Sequence, residues 1–139
     1  MRNSIGITFT FVLAALVAPL TSTAQQRGPE KPPPPLLSEI VQGMPKGEKQ
    51  QVRVIVATLK PGETTPFHSH RFPVTVYVLE GTFTLEIEGR APITAKGGQA
   101  IVEPPHVKMT GYNRGTDAMR VVIFYVSDPD TPFLDVARH

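Results

Sequence analysis

His68 and His70 stand two residues apart in the run Pro61-Gly62-Glu63-Thr64-Thr65-Pro66-Phe67-His68-Ser69-His70. On an extended strand, residues i and i+2 project to the same face, so both imidazoles reach one side, close together. Two imidazoles so placed can share a metal ion. The same spacing also suits a pair of surface histidines on an edge strand. The chain has no cysteine, so any metal site lacks thiolates and the fold lacks disulfides. Of the other two histidines, His106 follows Pro104-Pro105 and reads as an exposed turn residue, and His139 is the last residue. Glu80 and Glu103 flank turns and read as solvated charges, although either can swing in as a donor. Tyr77 and Tyr112 fit a pocket rim and a core equally well. No nucleophile elbow, phosphate-binding glycine loop or paired-carboxylate motif occurs.

The elements that must carry the histidines alternate with a period of two. From Gln51, Val52, Val54 and Val56 alternate with Arg53, Ile55 and Ala57. Val74, Val76 and Val78 alternate with Thr75, Tyr77 and Leu79. Phe83, Leu85 and Ile87 alternate with polar residues, the pattern of a half-buried strand. Ala100-Ile101-Val102 and Met119 to Val126 are further strands, the second apolar on both faces and expected to be buried on both. Pro61-Gly62, Glu80-Gly81, Glu88-Gly89, Gly97-Gly98 and Pro104-Pro105 separate them as turns. From residue 25 onward no long window has helical periodicity. Short strands without intervening helices predict an all-β, antiparallel sandwich or barrel. The tail from Asp128 is expected to be irregular.

Residues 1–24 read as a secretory signal peptide: Arg2, an apolar run from Ile5 to Val17, Pro19, and small residues before Gln25. The run is too short for a membrane span, so none is expected after cleavage, and the protein is expected in the periplasm or outside the cell. Residues 25–37, with their four-proline run, read as an extended arm, and residues 38–139 as a single domain. With 14 Lys+Arg against 12 Asp+Glu, the chain has no basic patch for nucleic acid. An apolar stretch at 36–44 and open sheet edges favour a homodimer.

The segment Gly62-x5-His68-x-His70 followed by Gly81 resembles the first motif of the cupin superfamily. Gly98-x5-Pro104, then His106, Met109 and Asn113, matches the spacing of the second. The resemblance runs from about Val52 to Val126. It implies a small antiparallel β-barrel or jelly roll whose pocket holds a metal on three histidines and a glutamate. His68 and His70 occupy two of the four ligand positions. Val74 stands at the glutamate position and Met109 at the third histidine.

A thioether is a soft, neutral donor that suits copper, Cu(I) above all. The sequence therefore predicts an exported metal-binding cupin with one ion on His68, His70 and Met109, copper before any other divalent metal. Met109 as a filler of a metal-free pocket is the plainer alternative. A small enzyme of oxygenase or isomerase type, or a metal-free module for a small-molecule ligand, are the competing classes.

Overall fold

The computed structural model describes residues 31–138. The signal peptide expected at 1–24, the start of the arm and His139 lie outside the described residues. From Pro34 onward the described residues form one compact unit. Nine strands and no α-helix occur among the described residues: β1 (Gln51–Leu59), β2 (His68–Ser69), β3 (Val74–Glu80), β4 (Thr82–Ile87), β5 (Ile93–Lys96), β6 (Ala100–Glu103), β7 (Met109–Tyr112), β8 (Met119–Ser127) and β9 (Asp135–Val136). They build two antiparallel sheets, ordered β1-β8-β3-β6 and β5-β4-β7-β2-β9. None of the described helices is long and apolar enough to cross a membrane, there being none.

The period of two decides what each sheet puts inside. Val74, Val76 and Val78 on β3 are fully buried, as are Leu85 on β4 and Met109 on β7. Each such aliphatic side chain contributes about 1.5–3 kcal/mol through burial. On β1 the inward face is Arg53, Ile55, Ala57 and Leu59, while Val52, Val54 and Val56 are 69 %, 59 % and 59 % exposed. β8 lies between β1 and β3, yet its outer face is not buried as expected. Phe124 is 44 % exposed, and Val122 and Val126 are half-buried, with Leu37, Val41 and Met44 bordering a cleft beside Phe124 and Val126.

Register lines the inner residues of the four-stranded sheet into rows. One row reads Arg53, Tyr125, Val74, Glu103 across β1, β8, β3 and β6. The next reads Ile55, Ile123, Val76, Ile101. In the other sheet, Ile87, Met109 and His68 lie side by side on β4, β7 and β2. The tail is not wholly irregular: β9 pairs with β2 through His68↔Val136 and Ser69↔Asp135.

The turns use motif glycines for a physical reason. Gly81, between β3 and β4, has φ +78, and a Cβ there would stand 2.9 Å from the Met119 Cα. Only glycine accepts that conformation and that approach together. Asn113 is a clamp: its amide donates to the carbonyls of Leu59 (2.9 Å) and Asp117 (2.8 Å), and its side-chain oxygen accepts from the Gly115 N–H (3.0 Å).

Candidate metal centre

His68 and His70 are both buried, at 4 % and 1 % exposure, so the surface-pair reading of these histidines is set aside. Position 68 projects inward because β2 is wedged between β7 and β9, with Met109 directly opposite. His70 lies just past the strand end, two residues on and therefore towards the same side. The two rings meet edge to face, centroids 4.7 Å apart at 81°.

Each ring is oriented by a backbone carbonyl. His68 Nδ1 is 2.7 Å from the Pro66 carbonyl and His70 Nδ1 is 2.7 Å from the Phe133 carbonyl. A carbonyl only accepts, so each Nδ1 must carry the proton and donate it. In the neutral rings both Nε2 atoms then hold bare lone pairs, and these lie 3.1 Å apart. Such carbonyl contacts fix the tautomer and ring plane of metal-ligating histidines. Burial holds the His68 imidazole below its ordinary pKa, against the opposing pull of the Pro66 carbonyl. At neutral pH it is the free base that a metal requires.

Glu103 completes the cluster, which corrects its reading as a solvated turn charge. It is 5 % exposed, and its Oε2 is 3.0 Å from His70 Nε2. It ends β6 opposite Val74, the position where the family motif carries its glutamate. The carboxylate comes from the cross-strand neighbour of that position. Within β6, Glu103 shares the inward face with Ile101, two residues back, and that alternation was the available sequence signal.

Donor atoms of His68, His70 and Glu103 all lie within 4.8 Å of one another. Bonds of about 2.1 Å to one ion put adjacent ligands about 3.0 Å apart in octahedral and 3.4 Å in tetrahedral geometry. The separations of 3.1 and 3.0 Å fit that range. Two lone pairs and a carboxylate so close need a proton or a metal cation among them. The residues fit a metal.

Met109 stands directly opposite His68 across β2 and β7 and is fully buried. The cavity that opens onto the histidines is bordered instead by Met119, a residue the motif spacing did not single out. The other candidates fall elsewhere. His106 is exposed in a left-handed turn (φ 62), and its N–H donates to the His70 carbonyl at 2.7 Å. Glu80 is exposed and paired with Arg120 at 3.0 Å. Tyr77 and Tyr112 are both half-buried, Tyr112 beneath the Arg114 guanidinium. A larger cleft of about 460 Å³ lies between residues 39–43 and the turn at 104–107, with no cluster of donors in it.

Residues 55–125 match the family model described as Cupin domain. No curated protein sequence matches the chain. Among solved structures, the DMSP lyase DddQ from Ruegeria pomeroyi aligns with a TM-score of 0.55 at 17 % identity, over 62 % of this chain and 43 % of that one. An RmlC-like cupin family protein with a double-stranded β-helix fold from Methanocaldococcus jannaschii aligns at 0.50 and 22 %, over 67 % and 92 %. An uncharacterized protein with a double-stranded β-helix domain from Klebsiella pneumoniae aligns at 0.55 and 19 %, over 73 % and 90 %. This chain spans less than half the length of the DMSP lyase chain, and these likenesses are of fold.

Proposed function

The chain belongs to the cupin family, and on that premise we propose that it binds one metal ion through His68, His70 and Glu103. One observation carries the reading: two carbonyl-oriented imidazoles bring their Nε2 atoms together, and a buried carboxylate meets that of His70. Two imidazoles and a carboxylate suit borderline divalent ions such as iron, manganese, cobalt, nickel or zinc. Three protein donors leave coordination positions open, so a bound ion supplies Lewis acidity towards a small molecule. The protein's own part is to fix the ring planes, exclude water from the donors and keep His68 unprotonated.

Copper is the second reading, favoured by Met109 directly opposite His68. A thioether added to two imidazoles favours the reduced ion, whereas the Glu103 oxygen favours a harder one. The test is metal content and affinity across a divalent series and Cu(I), for wild type, Glu103→Gln and Met109→Leu. Loss of divalent binding in Glu103→Gln with Met109→Leu unchanged supports the carboxylate site. Tight Cu(I) binding that only Met109→Leu weakens replaces it with the thioether site. Absence of any tight binding refutes both.

Export and self-association belong to the same proposal. The N-terminal charge, apolar run and small residues support secretion to the periplasm or beyond. The open edge of β1, with its exposed valines, supports a homodimer. If turnover of a small organic substrate is found and disappears in His68→Ala, the role is enzymatic. If turnover is absent while binding persists, the role is metal or ligand handling.

A further inference from the structure

The cavity beside the three donors has a chemistry of its own. Its volume is about 160 Å³. The four-stranded sheet supplies its floor with Ile55, Val76 and Ile123, and Ala57 and Val121 extend it one row further. Phe83 closes it from the opposite sheet, and Phe133 and Leu134 border it from the C-terminal segment.

Apart from the three donors, the polar side chain on the lining is Thr65. Its hydroxyl is already used, accepting from the Gly111 N–H at 2.8 Å and donating to the Pro66 carbonyl at 3.1 Å. Among the described residues, no lysine or arginine lines the cavity. The cation on the neighbouring row, Arg53, is held away by Gln51 and by the Thr131 carbonyl. A carboxylate or phosphate would find no protein donor for its second oxygen, and a polyol would strand its hydroxyls. Apolar cavities of about 150 Å³ admit benzene, which sets the size of the occupant.

Building on the metal reading, we propose that this cavity binds a neutral, largely apolar molecule of about one six-membered ring, with a single oxygen donor directed at the ion. Cyclic ketones and simple phenols are the chemical class; organic acids, sugars and phosphate esters are outside it. The three protein donors grip the metal, and the Ile55–Ile123–Val76 floor selects the ligand by shape and absence of charge.

The test uses the full chain with isotope-labelled Ile and Val methyl groups, metal-free and loaded with Co(II), titrated with cyclohexanone, cyclohexanecarboxylate or glucose. Methyl shifts at Ile55, Ile123 and Val76 report the cavity, and the visible bands of Co(II) report the ion. Cyclohexanone is expected to move both signals, with the other two at least about tenfold weaker. Val121→Phe, or Ala57→Leu if that variant fails to fold, is expected to abolish the methyl shifts and leave Co(II) affinity within about twofold, because neither residue is a donor. Co(II) binding with methyls that ignore cyclohexanone overturns the inference and leaves the metal reading standing. Methyl shifts without Co(II) binding overturn the metal reading and leave the cavity's preference standing. Equal or tighter binding of the carboxylate overturns the neutral class.

Discussion

Supplying the carboxylate from Glu103 rather than position 74 moves that donor from β3 to β6. β2 delivers His68, and β6 must hold register with β3 for Glu103 to face it. Loss of an outer-shell partner costs metal sites about 10–100-fold in affinity, and loss of a donor is expected to cost more. Glu103→Gln, which keeps the shape and removes the charge, is therefore expected to weaken divalent binding by at least about 100-fold in a chelator competition. An unchanged constant would remove Glu103 from the site. His68 gives a pH prediction for the metal-free protein. Its folded pKa is lowered by burial, so the unfolded chain takes up the proton first as pH falls below about 6.5. Stability is then lost on acidification and regained above that value. Urea midpoints at pH about 5.5 and 7.5 should show this slope in wild type and a flatter one in His68→Gln. Equal slopes would assign the acid sensitivity to other groups. The histidine pair was legible from its spacing together with the flanking residues that resemble the cupin motif. Glu103 was missed because a charge beside Pro104-Pro105 reads as a turn, while the two-residue step from Ile101 already turned it inward.

At the scale of elements, the C-terminal segment does more than close the barrel. The Phe133 carbonyl orients His70, β9 pairs with β2, and Arg71 binds the Asp135 carboxylate at 2.9 and 3.1 Å. A chain ending after Pro129 is expected to keep its two sheets and lose about 10–100-fold in metal affinity, since His70 loses its orienting partner. Circular dichroism beside a metal titration separates those effects; affinity equal to wild type would show that the segment is only a cover. β7 carries a tighter constraint. A Cβ on Gly111 would stand 2.5 and 2.8 Å from Phe83 ring atoms. Gly111→Ala must displace that ring, which borders the cavity, and is expected to cost about 1–3 kcal/mol in urea unfolding. The long strands were readable because alternation and apolar content agree over six or more residues. β2 and β9, two residues each, carry no period at all and exist because neighbours pair with them. Tertiary pairing, not local propensity, makes those elements, so a sequence pattern leaves the tail irregular.

For the whole molecule, the same patterning leaves one face of the four-stranded sheet unfinished. Val52, Val54 and Val56 on β1 pair in register with Val126, Phe124 and Val122 on β8, all pointing away from the barrel interior. β1 has a hydrogen-bonded neighbour on one side only within its sheet. An apolar strand with a free edge is a template for pairing with another chain, and a soluble protein must cover it or blunt it with charge. No charged side chain stands among those outward positions of β1, and its one charge, Arg53, lies on the inward face. A second copy, β1 against β1 in antiparallel register, would join the two sheets and bring both valine stripes onto one continuous face. Such a contact is self-complementary and closes after two copies, as a two-fold interface must. Val54→Lys, at the middle of the stripe, places two like charges across that axis and is expected to prevent such a dimer from forming. Sedimentation velocity over a hundredfold range of concentration reads the outcome, with metal content as the control for an intact barrel. A wild-type chain that sediments as a monomer throughout that range would mean that this face is covered by other means.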